Sequence, residues 1–155
     1  MKFTIEKVTD KNLDTLVSLF GEYRKFYEKA PQPENEKQFI GERYKKQDSY
    51  ICVAITESSQ VIGFAQCYFT FSSLSMCNVL VLNDLYVNPD YRNMKVGKEI
   101  IHHVIEYCRK NDFKGITLET AESNSVARKI YENLGFTKDD SYLHYYLVVP
   151  EKVIS

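Results

Sequence analysis

The sequence predicts a mixed α/β domain whose central sheet is mostly antiparallel and flanked by helices. Three observations carry that expectation. Apolar, β-branched and aromatic runs joined by short polar turns fill residues 50–87, the pattern of an antiparallel meander. The last of those runs leads through a helix-period segment to another short apolar run, the pattern of a parallel β-α-β crossover. Segments with 3.6-residue apolar spacing stand before, between and after these strands. The 155 residues suit one domain, read as 1–155, and 44% apolar residues can supply an ordinary core.

Taken in order, residues 3–8 place Phe3, Ile5 and Val8 in a strand-like pattern. Thr9 or Asp10 then caps a helix over residues 11–28. Its apolar face is Leu13, Leu16, Val17, Phe20, Tyr23 and Tyr27. Ala30-Pro31-Gln32-Pro33 breaks it. A second helix, residues 34–46, turns Phe39, Ile40 and Tyr44 inward and is otherwise charged. Strands follow over residues 50–55, 61–71 and 76–87. Asn88-Pro89-Asp90-Tyr91 is a turn whose proline stops the long strand. In the next helix Val96, Ile100, Ile101, Val104, Ile105 and Cys108 share one face, and Asn111-Asp112 ends it. Residues 115–119 form a short buried strand. Residues 121–124 form a loop, and a helix over 125–134 stops at Gly135. Residues 136–138 and 142–149 supply the last strands. The full order is β-α-α-β-β-β-α-β-α-β-β.

Composition excludes several function classes. A net charge of −1 gives no electrostatic case for nucleic acid. No apolar run approaches the roughly 18 residues of a membrane span. Met1-Lys2-Phe3 opens a strand-like segment rather than a signal peptide, which points to a cytoplasmic protein. The four cysteines, Cys52, Cys67, Cys77 and Cys108, have no metal-ligand spacing, so no metal is expected and the thiols read as reduced and mostly buried.

The chemistry concentrates after the long strand. Arg92-Asn93-Met94-Lys95-Val96-Gly97-Lys98 is a basic loop with one glycine at a helix N-terminus. Free backbone N–H groups, the positive end of the helix dipole and three cationic side chains make that layout a phosphate site. Glu99 stands where a nucleoside-triphosphate loop needs Ser or Thr after Gly-Lys, and a dinucleotide fingerprint needs three glycines. A second pattern is Asn124-x-x-Ala127-x-x-x-Tyr131-x-x-x-Gly135-Phe136, with Asn124, Ala127 and Tyr131 at helical spacing. On spacing alone Tyr131 reads as a core aromatic beside Ile130 and Leu134 rather than a ligand contact.

The two motifs, in this order and across essentially the whole chain, resemble the GNAT superfamily of N-acetyltransferases. The family loop runs Arg/Gln-x-x-Gly-x-Gly/Ala. This chain matches at Arg92 and Gly97 and has Lys95 in place of the first glycine. The resemblance implies the GNAT fold, acetyl-CoA as cofactor and an acyltransferase acting on a primary amine. It implies that backbone groups of Leu85, Tyr86 and Val87 bond the pantetheine arm. Arg92 and the amides of Asn93, Met94, Lys95, Val96, Gly97 and Lys98 would hold the pyrophosphate. Asn124 would hold the pantetheine, and Tyr131 would protonate the departing thiolate. Leu82-Asn83-Asp84-Leu85-Tyr86-Val87 and the Asn88-Pro89-Asp90-Tyr91-Arg92 turn look closest to the diamine and polyamine branch, which has Glu-Asp where this chain has Asn83-Asp84.

The same resemblance places an amine acceptor near Glu22, Tyr23, Tyr27, Gln66, Tyr68, Asn83 and Tyr146. Tyrosine faces and carboxylates suit a cation. Many relatives carry a Glu base on the fourth strand, at Val81 or Asn83 here. Asp84 is the neighbouring carboxylate, but strict alternation puts it on the opposite face unless a bulge re-aims it. A water relay is the alternative base. His102 and His103 read as helix residues, and His144 alternates with Tyr142 and Tyr146 on the last strand. A peptide N-acetyltransferase and a non-catalytic CoA-binding module remain open. Relatives are often dimers, which implies a homodimer through the last hairpin.

Overall fold

The structure is a computed structural model that describes residues 1–151. Met1–Glu119 makes one compact unit, and the chain from Thr120 makes a second. The first holds β1 (Phe3–Lys7), α1 (Leu13–Phe26), α2 (Pro33–Lys46), β2 (Ser49–Thr56), β3 (Val61–Ser72), β4 (Cys77–Val87), α3 (Val96–Lys110) and β5 (Phe113–Thr117). One turn of 3₁₀ helix, Pro89–Tyr91, links β4 towards α3. The sheet order is β1-β2-β3-β4-β5. The first four strands pair antiparallel, and β5 joins β4 in parallel, as the crossover pattern predicts.

Each face of this sheet carries its own core. Ile51 and Val53 of β2, Phe64 of β3 and Tyr86 of β4 pack with Leu16, Leu19 and Phe20 of α1 and Ile40 of α2. On the other face Tyr50 stacks on Tyr107 of α3 at 3.7 Å between ring centroids, and the Tyr50 hydroxyl meets His103 Nε2 at 2.7 Å. His103 is therefore a packing residue, and burial lowers its pKa. Val96, Ile100, Ile101, Val104 and Cys108 are the buried stripe of α3. Cys52, Cys67 and Cys108 are free and buried, and burial pushes the thiols up, Cys52 to about 12 and Cys108 to about 11. These thiols are kept from the thiolate form that reacts.

Four sequence expectations shift. Asn12, not Thr9 or Asp10, is the N-cap residue of α1. Its Oδ1 accepts from the Thr9 N–H, so residues 9–12 close a turn ahead of the helix. The strand expected at 115–119 runs Phe113–Thr117. Asp112 adopts φ 61°, which turns the chain out of α3 at once, and Phe113 stacks against Phe69 and Tyr107. Residues 136–138 and 142–149 form no strand. A strand has no hydrogen bonds of its own, and among its described residues the second unit holds α4 (Ser125–Asn133) but no strand to pair with them. Tyr142, Leu143, Tyr145 and Tyr146 are accordingly exposed. Among the described residues, no helix is long and apolar enough to cross a membrane.

Gly63 decides how closely α3 sits on the sheet. A β-carbon there would lie 3.1 Å from Ile100 Cδ1, 3.2 Å from the Tyr86 carbonyl oxygen and 3.3 Å from Val96 Cγ1. Two of those neighbours are side chains of the first turns of α3, and the third is backbone of β4. Gly63→Ala is expected to destabilise the fold by about 1–3 kcal/mol, the range for overpacking. Thermal unfolding checks it; an unchanged melting temperature would show that the α3–β4 contact yields freely.

Candidate functional site

The site begins where β4 loses a neighbour. β5 pairs with β4 only from Asn78 to Val81, while β3 follows β4 up to Val87. Among the described residues, Leu85, Tyr86 and Val87 thus have a strand on one side and none on the other. Backbone N–H and C=O groups that point to such an edge are obligatory hydrogen-bonding groups without a strand partner, and here the Val87 carbonyl accepts from Arg92 Nε. The Tyr86 side chain is buried in the α1 face, and Val87 Cγ2 lies 3.7 Å from where a Gly97 β-carbon would be.

The loop that follows is curled. Asn93 and Lys95 both adopt left-handed backbone, φ 66° and 64°. Lys95 takes this conformation at the position where the family pattern has glycine, and it is the N-cap residue of α3 with no side-chain cap. The first intrahelical acceptance is Glu99 N–H to the Lys95 carbonyl at 3.0 Å. The amides of Val96, Gly97 and Lys98 precede it and have no intrahelical acceptor. Left-handed residues before a helix N-terminus are the backbone shape that forms anion-binding concavities. Met94 and Lys98 are exposed, and Val96 is core, so Val96 offers only its backbone. Arg92 is partly committed: Nε donates to the Val87 carbonyl at 3.3 Å, and the guanidinium lies over Phe26 and Tyr86 at 5.4 and 5.6 Å. Its remaining donors are available to a ligand.

A bulge sets the other half. Gln66 faces Asp84 and Cys67 faces Leu82, so Asn83 is the extra residue in β4. Strict alternation would have put Asp84 on the α3 face with Leu82. The bulge moves it to the α1 face, beside Val81, Gln66 and Tyr68. Asp84 is 7% exposed and accepts three hydrogen bonds. Tyr23 hydroxyl donates to Oδ1 at 2.8 Å, Asn83 Nδ2 to Oδ1 at 3.2 Å, and Gln66 Nε2 to Oδ2 at 3.0 Å. Ser49 Oγ donates to Gln66 Oε1 at 2.9 Å, which fixes the amide with its N–H towards Asp84. Burial and the Asp84 charge raise the pKa of Tyr23 far above its usual value, and raise Tyr68 in the same direction for the same causes.

Five expected acceptor residues and the candidate base therefore gather in one place: Tyr23, Gln66, Tyr68, Asn83 and Asp84, with Tyr27 set edge-on to Tyr23 at 5.3 Å. Glu22 is exposed on a different side of α1. Asn124 and Tyr131 belong to the second unit. There Asn124 is the N-cap residue of α4, its Oδ1 accepting from the Ala127 N–H at 3.3 Å, so it starts the helix rather than sharing a face with Tyr131. Gly135 at φ 100° and the Phe136 N–H to Tyr131 carbonyl bond (3.0 Å) close the helix, with the Phe136 ring on Tyr131 at 5.8 Å. This is the helix-ending arrangement in which the sixth residue bonds back to the first, and it holds Tyr131 in place. Tyr146 is 91% exposed, in a segment that forms no strand. Sequence reasoning missed Ser49, Phe26 and Gly63. Only the last left a signal, a glycine inside a strand pattern marking close backbone approach. Among the described residues no group of His, Cys, Asp and Glu is arranged to hold a metal ion.

Known proteins share this architecture. Residues 14–136 match the model of the Acetyltransferase (GNAT) family. The chain is 35% identical over 148 residues to the uncharacterized N-acetyltransferase YhfO of Bacillus subtilis (strain 168), covering 96% of this chain and 99% of that one. It is 30% identical over 99 residues to the [ribosomal protein bS18]-alanine N-acetyltransferase of Haemophilus influenzae, 64% of this chain and 63% of the relative. A crystal structure of a probable acetyltransferase superposes with a TM-score of 0.88 at 33% identity, covering 96% and 99% of the two chains.

The buried network makes a pH-dependent expectation. Gln66→Glu places a second carboxylate about 3 Å from Asp84, where both cannot readily ionise. One of the pair must then hold its proton more tightly in the folded state than in the unfolded chain. A raised folded pKa gives stability that is present at low pH and lost as pH rises through it. The variant should therefore lose more melting temperature against wild type at pH 8 than at pH 5. Equal losses at both would show that the two side chains do not share the site.

Proposed function

The chain belongs to the GNAT family of acetyltransferases and is an N-acetyltransferase; from that premise we propose that residues 1–155 act as one catalytic domain that passes the acetyl group of acetyl-CoA directly to a primary amine. The observation that carries this reading is the free edge of β4 running straight into the curled, uncapped N-terminus of α3. Pantetheine has amides that can pair with Leu85, Tyr86 and Val87 as a further strand would. Its pyrophosphate suits the amides of residues 93–98, with Arg92, Lys95 and Lys98 supplying charge. Acetyl-CoA is the donor that family members use generally. In this scheme the chain's residues position the thioester and orient the amine, and Asn124 and Tyr131 take the roles the family resemblance gives them. Asn124 holds the pantetheine arm through its Nδ2, its Oδ1 being engaged in the α4 cap. Tyr131 gives its hydroxyl proton to the leaving thiolate.

A small amine, of the polyamine or amino-compound kind, is the acceptor this reading favours. A buried carboxylate ringed by tyrosines suits a compact cation that becomes neutral before it attacks. A peptide amine is the second reading, supported by the similarity to an enzyme named for a ribosomal-protein alanine. A panel of free amines and peptides assayed with acetyl-CoA for thiol release separates the two.

Two variants test the assignment of roles. Gly97→Val is expected to fold, since the first side-chain carbon there meets only Val87 at 3.7 Å. It should weaken CoA binding by roughly tenfold or more, about 1.4 kcal/mol or more, because the side chain occupies ligand space. Calorimetry showing wild-type affinity in a folded variant would remove the loop from the cofactor site. Tyr131→Phe should lower turnover by roughly 10²–10⁴-fold, the range for a positioned general acid, and change acetyl-CoA affinity little, since the effect belongs to the transition state. Wild-type turnover, measured where chemistry limits the rate, would return Tyr131 to a packing role.

A further inference from the structure

The carboxylate that the acceptor reaction would use is not the group an acceptor meets first. Asp84 is 7% exposed, and its three hydrogen bonds come from Tyr23, Asn83 and Gln66. Gln66 is fully buried behind it and locked by Ser49, so Oδ2 is closed off from the inside. Oδ1 is approached through Asn83 and Tyr23. Of these, only the Tyr23 hydroxyl can both accept a proton and pass one on; an amide N–H₂ donates and does not. Tyr23 is half-buried on α1, between the edge-on rings of Tyr27 and Phe64. Among the described residues, the other titratable groups around the pair include Tyr27, Tyr68 and Cys67 of β3, the Arg43–Asp48 ion pair whose charges reach Tyr68, and Arg92 over the Tyr86 ring, which itself tilts against Tyr23.

Resting on the amine-acetylation reading above, we propose that Tyr23 is the proton relay between the acceptor ammonium and Asp84. The N–H bond of the ammonium breaks and its proton goes to the Tyr23 oxygen. In the same step the original Tyr23 O–H bond breaks and that proton goes to Asp84 Oδ1. The nitrogen keeps the electron pair and becomes a neutral nucleophile, Asp84 becomes a neutral acid, and Tyr23 ends as it began. One positive and one negative charge vanish together, and no co-reactant is needed. The strongly raised pKa of Tyr23 agrees with exchange rather than ionisation, since burial and Asp84 both oppose a free tyrosinate. After product leaves, the proton returns to solvent by the same path. Gln66 and Ser49 act through Asp84, as positioning residues.

The relay matters only when the acceptor arrives protonated, and that supplies the test. kcat/KM is measured for wild type and Tyr23→Phe with a primary amine that wild type acetylates and with its β-fluorinated analogue. The two have nearly the same shape, but the analogue's ammonium is much more acidic. At a pH between the two ammonium pKa values, Tyr23→Phe should lose roughly 10²-fold or more on the parent amine and far less on the analogue. Asp84→Asn should show the same split, and the double variant should be no worse than the poorer single one, as for residues acting as a unit. Melting temperatures report folding, and Tyr23→Phe keeps the ring and its packing. An equal loss on both amines, no loss on either, or single-variant losses that multiply in the double variant would overturn the relay while leaving amine acetylation standing. A wild-type protein that acetylates no amine would overturn both.

Discussion

One extra residue in one strand organises the polar cluster around Asp84. Asn83 has no partner on β3, and every residue after it is turned over relative to those before. Leu80 and Leu82 stay with α3, while Asp84 joins Phe64, Gln66 and Tyr86 towards α1. A carboxylate on the α3 face would stand among Cys67, Ala65 and the apolar stripe of α3, without the polar partners it has now. On the α1 face it finds a hydroxyl and two amides. Burying a charge is costly unless hydrogen bonds replace water, so the bulge and the three donors imply one another.

The same strand divides the labour of the fold. Along its first half β4 is an interior strand held by β3 and β5; along its second half it is held by β3 alone. Stability resides where the ladder is complete, and the free edge begins where it stops. α3 must come close for its N-terminus to lie beside that edge. Gly63 permits the approach by having no side chain under Val96 and Ile100. α1 reaches the same region from the other face through Phe26, whose ring lies under the Arg92 guanidinium. The basic loop and α1 therefore touch through Arg92 and Tyr86, while Tyr86 and Tyr23 pack together beside Asp84.

Other reactive-looking groups are spent on structure. Cys52, Cys67 and Cys108 are buried and held as thiols, and His103 is bound to Tyr50. The Arg24–Glu36 pair at 2.6 Å joins α1 to α2, with Arg24 also holding the Ala30 carbonyl of the connecting loop. The absence of a side chain at Gly21 leaves room for it, since a β-carbon would stand 3.2 Å from Glu36 Oε1. These contacts fix the helix pair that carries Tyr23 and Tyr27.

By itself the sequence determined the element order through α4, the parallel crossover and the basic loop, because each is written in local periodicity, turn residues and helix ends. It also named Tyr23, Gln66, Tyr68, Asn83 and Asp84 as candidates. It could not say that they meet, since Tyr23 is 61 residues from Asp84 and only packing brings them to 2.8 Å. It could not assign Asp84 to a face, because a bulge is a property of two paired strands rather than of either one. It gave 142–149 the alternation of a strand, yet a strand exists only against a partner, and among the described residues of the second unit none is present. It left Ser49 and Phe26 unmarked, since their roles lie wholly in what they touch. Local spacing records what a residue can do along its own helix or strand. The tertiary structure alone decided which carboxylate is buried, which hydroxyl reaches it and which stretch of β4 is left unpaired, because those are contacts between residues far apart in the chain.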